Sequence, residues 1–431
     1  RLRRSTLVPD AAIWQTSATF SAGASTTVTD HSSLRIAVIG AGPAGIAAGH
    51  ELLAQGFTNF TMFEATDAVG GTWHIHTYPG LACDVWAHSY TFSYRPNPDW
   101  SASFAGQPEI EAYLQTCVEE FGLTDHVVLD TRIASAEYRS DGTWTLTSDR
   151  GRTFECDVVI NAMGNQHTPL YPDVPGLNSF AGDSWHSTEW NHDVELTGKR
   201  VVVVGSAAAA VQVVPEVASK AGHLTVLQRS ANWIMPRGRK FYSDAQRKRF
   251  RRWPWLIGAT RAVQRLLMGQ VEHAVTLGHN RMGQFEKMVR KYIDSTIEDH
   301  ALREVLAPDS RYGCKRGLVS DDFYPALNRS NVELVPEALA EVNDTEFRFS
   351  LDPFVFGNHG HGAEAFHCQF GFAGRLRDGT LPFRTLDCRS LNGRALDGWR
   401  LGGRSFAAHF QIVGKFKGIA VAETGQLRFG F

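Results

Sequence analysis

Apolar residues in this chain come in short bursts closed by glycine rather than in long helical stripes. Ile36, Ala37, Val38 and Ile39 form a run with the length and β-branched content of a strand buried on both faces. Glycines follow at once, residues 46–55 read as a helix, and residues 60–64 read as a second strand. This β-turn-α-β order predicts the opening of a parallel, dinucleotide-binding sheet. The pattern returns later. Residues 200–204 read as a strand, 205–210 as a turn, 211–219 as a helix and 224–228 as a strand. Two such units predict two nucleotide sites in one chain.

The flanking stretches have other patterns. Residues 1–33 are rich in Ser, Thr and Ala without periodicity, and a mobile leader is expected there. Residues 237–306 read as mainly helical with no strand alternation. Their first part, residues 237–265, carries ten basic residues and one acidic one, interleaved with Phe250, Trp253 and Trp255. A solvated helical lobe whose Arg and Lys stems lie along apolar surface is expected. A membrane-surface or partner-docking face is the alternative.

Composition narrows the classes. Of 431 residues, 43% are hydrophobic and 20% charged, which excludes a mostly disordered chain. The formal charge of -2 gives no overall drive toward nucleic acid. No run approaches the ~18 apolar residues of a transmembrane helix. The cysteines Cys83, Cys117, Cys156, Cys314, Cys368 and Cys388 form no CxxC or CxxxxC pair. That argues against structural zinc and a flavin disulfide reductase, and fits a reducing, cytoplasmic setting.

The first turn, Gly40-Ala41-Gly42-Pro43-Ala44-Gly45, is GxGxxG between a strand and a helix. Gly40 permits the turn, Gly42 lets backbone approach a pyrophosphate, and Gly45 permits close helix packing. Glu64 ends the next strand, where a ribose is bound in this arrangement. The second turn, Gly205-Ser206-Ala207-Ala208-Ala209-Ala210, keeps only the first glycine. The Ala207 methyl is expected to weaken binding there. Arg229 holds the position that Glu64 holds in the first unit, and an arginine there suits a 2′-phosphate, hence NADP.

Between the units runs Phe180-x-Gly182-x-x-x-His186-x-x-x-Trp190. This spacing resembles the fingerprint of type I Baeyer–Villiger monooxygenases, of the flavin-containing monooxygenase superfamily, although Asn191 stands where Pro or Asp usually follows. Gly70-Gly71-Thr72-Trp73, Tyr78-Pro79-Gly80 and Cys83-Asp84 resemble the flavin-proximal segment of that family. Pro96-Asn97-Pro98-Asp99-Trp100 and Gln107-Pro108-Glu109 continue the likeness. Gln228-Arg229-Ser230-Ala231-Asn232-Trp233, with Pro236-Arg237, resembles its NADP-phosphate region. Cys314-Lys315-Arg316 with residues 320–325 resembles its active-site arginine segment.

The resemblance implies an α/β fold with two Rossmann-like dinucleotide-binding domains, a helical insertion and a divergent, truncated C-terminus. The implied division is a leader at 1–33, an FAD-binding domain at 34–170, and a linker with NADP-binding domain at 171–236. The helical insertion at 237–310, the remainder of the NADP-binding domain at 311–364 and a divergent tail at 365–431 complete it. The implied activity converts a ketone to an ester or lactone with FAD, NADPH and molecular oxygen, through a flavin peroxide. Arg316 would stabilise the peroxide anion and Asp84 would position it. The implied cofactor contacts are Gly40, Gly42, Gly45, Glu64, Gly71, Thr72, Trp73, Asp84, Tyr90, Gly205, Ser206, Gln212, Arg229, Ser230 and Lys315. Phe180, Gly182, His186 and Trp190 would couple the domains. The alternatives are oxidation of sulfur or nitrogen, and an inactive dinucleotide-binding relic.

The likeness fails beyond about residue 345. The tail there is rich in Arg, Gly, Leu and Phe with little helical or strand periodicity. A tail that does not encode the native C-terminal part is expected, leaving one wall of the flavin site missing. His359, His361, His367 and Cys368 have no supporting acid, and no metal site is expected. His76 stands where the family commonly has Asn.

Overall fold

The computed structural model describes residues 33–277, 282–344, 346–350 and 412–413. The first unit begins with β1 (Ile36–Ile39), α1 (Pro43–Ala54) and β2 (Phe60–Phe63). The helix starts three residues earlier than the apolar pattern suggested. Pro43 at its first turn has no N–H to lose and a preset φ, so the helix opens directly on Gly42. Then follow α2 (Thr72–Ile75), α3 (Gln107–Glu120) and β3 (Val127–Val128). A meander of β4 (Ile133–Tyr138), β5 (Trp144–Ser148) and β6 (Thr153–Cys156) leads into β7 (Val158–Asn161). Strands β7, β1, β2 and β3 pair in parallel in that order. Val38, Ile46 and Met62 lie fully buried between sheet and helix.

The second unit is β8 (Arg200–Val204), α4 (Ala208–Ala218) and β9 (His223–Leu227). Here too the helix starts three residues before the expected position, because three consecutive alanines continue it without cost. The short β10 (Ile234–Met235) leads into the insertion, composed of α5 (Asp244–Arg252), α6 (Trp255–Leu277), α7 (Met282–Thr296) and α8 (His300–Leu306). The chain returns through β11 (Leu318–Val319), α9 (Phe323–Leu327) and β12 (Val332–Val335), and β12 completes a parallel sheet ordered β12-β9-β8. The hairpin β13 (Ala338–Val342) and β14 (Phe347–Ser350) follows.

Two features matter later. First, β10 pairs in parallel with β11, which draws the two ends of the insertion together. Second, α6 is anchored by a narrow stripe. Ile257 and Gln264 are buried, and the Ser89 hydroxyl donates to the Gln264 amide oxygen at 2.6 Å. Its opposite side carries Trp255, Val263 and Leu266, which are 68%, 59% and 66% exposed. No described helix is long and apolar enough to cross a membrane.

The expected leader lies outside the described residues, apart from Ser33. So do His359, His361, His367 and Cys368, and nearly all of the tail. The exception is a two-residue strand. Residues Ile412–Val413 form β15, which pairs antiparallel with β7 at the sheet edge.

Candidate active site

The first turn is a cradle that a Cβ would fill. A Cβ at Gly40, whose φ is +101°, would fall 2.5 Å from the Ala162 carbonyl oxygen. Gly42 and Gly71 face each other, and a Cβ on Gly71 would come 2.8 Å from the Gly42 Cα. Neither Gly42 nor Gly71 has a side chain to cap its helix, so no side-chain cap takes the first backbone N–H groups of α1 and α2. Such an end favours an anion, which fits a pyrophosphate. Glu64 closes the cradle: its carboxylate accepts from the Ala41 N–H at 2.8 Å, and from the Thr66 N–H and hydroxyl.

The second turn reproduces the geometry with only its first glycine, Gly205, at φ +104° against +101° at Gly40. Ala207 has φ -79° and ψ -168°, against -77° and -172° at Gly42. That backbone suits any residue, so the turn tolerates alanine. The side of Gly205 is open where Gly40 meets Ala162, but its positive φ still calls for glycine. Ser206 is buried and its hydroxyl accepts from the Asn232 amide at 3.2 Å.

Arg229 lies two residues beyond β9 and is exposed. The Lys315 ammonium donates to the Ser230 hydroxyl at 2.8 Å and the Ala231 carbonyl at 3.0 Å. Burial above all, with Arg229 adding and Asp309 opposing, holds the Lys315 amine below its ordinary value. Two cations and a hydroxyl thus gather just beyond β9, and the like charges favour an anion between them.

Asp84 sits where the two units meet. The segment ahead of it packs on α4 so closely that a Cβ on Gly80 would lie 2.4 Å from the Gln212 carbonyl oxygen. The Gln212 amide donates to the Ala82 carbonyl at 2.9 Å and to Asp84 Oδ1 at 3.1 Å, and accepts from the Tyr78 hydroxyl at 3.2 Å. Gln212, expected beside a cofactor, makes these protein contacts at the joint. Its side chain is buried and spent on joining the units. Arg316, 232 positions along the chain, reaches Asp84 Oδ2 at 3.5 Å. A second guanidinium, Arg237, reaches Asp84 Oδ1 at 3.5 Å. The sequence had noted Arg237 only as the end of a motif. No spacing rule could have paired it with Arg316, because only the β10–β11 pairing brings them together.

The remaining expected residues make local contacts. Trp73 donates from its indole to the Tyr90 hydroxyl at 3.0 Å, and Thr72 opens α2. His76 is buried, pairs through Nε2 with the Gln166 carbonyl at 2.8 Å, and is held by burial below its ordinary pKa. In the linker, the Phe180 ring lies over Gly182, at 2.7 Å from where a Cβ would be. His186 caps a short turn by accepting from the Thr188 N–H, and Trp190 stacks edge-on against Trp185. Among the described residues no three His, Cys, Asp or Glu side chains could hold a metal.

Comparison with known proteins agrees with this layout. The chain is 39% identical over 341 residues to a Baeyer–Villiger monooxygenase of Streptomyces coelicolor, covering 77% of this chain and 65% of that one. A Baeyer–Villiger monooxygenase of Pseudomonas aeruginosa is 37% identical over 310 residues, covering 72% and 59%. The chain therefore spans less than two thirds of the length of either relative. Among solved structures, an oxidised steroid monooxygenase bound to NADP matches with TM-score 0.64 and 30% identity, over 73% of this chain and 68% of that one. An OTEMO complex with FAD and NADP matches with TM-score 0.65 and 26% identity, over 74% and 68%. Residues 33–255 match a family described as flavin-binding monooxygenase-like. With both glycine-turn units, the linker and this match in hand, the chain belongs to the flavin-binding monooxygenase-like family.

Proposed function

We propose that this chain is an FAD- and NADPH-dependent monooxygenase that converts a ketone to an ester or lactone with molecular oxygen. The observation that carries the reading is the charge arrangement at Asp84, where Arg316 meets a carboxylate at the contact of the two dinucleotide units. FAD supplies oxygen activation when bound, and NADPH supplies the hydride.

The residues do the rest. Gly40, Gly42 and Gly71 leave space for a pyrophosphate at the start of α1, and Glu64 offers its remaining lone pairs to a ribose. Arg229, Lys315 and Ser230 bind the 2′-phosphate that distinguishes NADPH. The Arg316 guanidinium places a permanent positive charge that no working pH removes, which favours negative charge on the oxygen attacking the carbonyl. Asp84 orients it. The linker residues Phe180, Gly182, His186 and Trp190 couple the units by packing rather than by proton transfer.

The test is direct. Purified full-length chain should be yellow, consume NADPH and convert a cyclic ketone to the lactone, detected by mass spectrometry. A colourless protein that takes up no added FAD would support a dinucleotide-binding relic instead. A sulfide converted to sulfoxide with no lactone formed would assign heteroatom oxidation.

A further inference from the structure

The Asp84 carboxylate has two guanidinium partners, and they are unequal. The side chain of Arg316 is 64% exposed and that of Arg237 is 8% exposed. Arg237 also donates to the Val319 carbonyl at 3.2 Å and lies over the Phe104 ring, 5.9 Å from its centroid. Its loop is clamped, because the Gly238 and Arg239 N–H groups donate to the Asp321 carboxylate at 2.8 and 2.9 Å. An exposed ion pair is screened by water and worth little, whereas a buried partner acts through a lower dielectric.

We propose that Arg237 is the positioning residue that keeps Asp84 ionised and oriented, with Arg316 as its second and exchangeable partner. The inference builds on the proposed function only in what the Asp84–Arg316 pair serves; the charge pairing stands apart from it. The other groups facing Asp84 are neutral or already committed. Gln212 donates to the same Oδ1. Tyr78 and Cys83 are each pushed up to about 12 by burial, so both stay protonated. No other cation acting on Asp84 is found among the described residues.

The sign of the pH effect follows. Burial raises the Asp84 carboxyl above its ordinary value, and Arg237, then Arg316, oppose that rise. Ionising Asp84 therefore costs the folded state, and stability falls as pH rises through its folded value. Removing the stronger counter-charge deepens that fall.

Thermal midpoints of the full chain without added cofactor, measured from pH 5 to pH 8, test this. Arg237→Met should lose about 2–4 °C more than the parent across that range. Arg316→Met should follow the parent closely, and Asp84→Asn added to Arg237→Met should abolish the extra loss. Arg237→Lys should recover part of it, since the ammonium keeps the charge. An equal or larger pH-dependent loss in Arg316→Met, or an extra loss that survives Asp84→Asn, would overturn the proposal. If Arg237→Met does not fold, Arg237→Lys against Arg316→Lys carries the same expected order and the same overturning result. Failure of the parent to oxidise any ketone would strike the proposed function and leave this comparison standing.

Discussion

At the residue scale, the proposed choice of NADPH rests on Arg229. Its position could be read from the sequence by aligning two strand ends, because the β-α-β period fixes where the second strand stops. The company it keeps could not. Lys315 arrives from 86 positions further along the chain. It is the fold that sets its ammonium on Ser230 beside Arg229. Charge-assisted contacts to a phosphate are roughly twice as strong as neutral ones. Arg229→Ala should therefore weaken NADPH binding at least tenfold and leave NADH binding within about twofold, as measured by fluorescence titration. Equal losses would mean that Arg229 does not read the 2′-phosphate. The same lesson holds for Gln212. The resemblance implied a cofactor contact for Gln212, one turn into the second helix. Its actual partners, Tyr78, Ala82 and Asp84, lie at least 128 positions away.

Among the elements, the parallel strands were legible because continuous Val and Ile runs are a strong signal for strands covered on both faces. The two-residue strands β10 and β11 were not, since nothing in Ile-Met or Leu-Val distinguishes them from loop. Yet their pairing sets both arginines around Asp84. The short α2 was equally hidden, and its support is electrostatic. His74 bridges Glu111 on α3 at 2.7 Å and Asp67 at 2.8 Å. Burial is the largest influence on its imidazole and lowers the pKa, but the two carboxylates outweigh it and the net shift is upward. A raised histidine adds stability that is fully present below its unfolded value and lost as pH climbs through the folded value. The α2–α3 contact, and with it the Gly71 side of the cradle, should loosen at alkaline pH. Hydrogen exchange of the Trp73–Ile75 amides should accelerate between pH 6 and pH 9 beyond its intrinsic rate in the parent. In His74→Gln this extra acceleration should vanish. Exchange that keeps the parent's profile in the variant would show that His74 is not the titrating group.

For the whole molecule, the order of two units, linker and insertion was readable because each unit repeats a local grammar of strand, turn and helix. Of the joint between them only the Asp84–Arg316 pair was foreseen, through the resemblance; its other contacts span more than a hundred residues and left no local signal. The insertion was readable as helical and basic, but which side of α6 faces the protein depends on Ser89 and Thr91 from the first unit. That choice leaves Trp255, Val263 and Leu266 facing water, and it governs how the protein behaves in a test tube. Near neutral pH the chain carries almost no net charge, with a pI of about 6.8, so little long-range repulsion keeps copies apart. The cluster of cations beside α6 supplies a local repulsion that salt removes, because the screening length shrinks from about 10 Å at 0.1 M to about 3 Å at 1 M. Added salt should thus promote self-association instead of dissolving it. Sedimentation velocity should show a larger weight-average species at 0.5 M sodium chloride than at 0.05 M. Leu266→Glu combined with Trp255→Glu should stay unchanged across that range. Dispersal by salt would instead mean that ion pairs, and not this apolar side, hold the copies together, and a dilute buffer, expected to suit preparation, would then be the wrong choice.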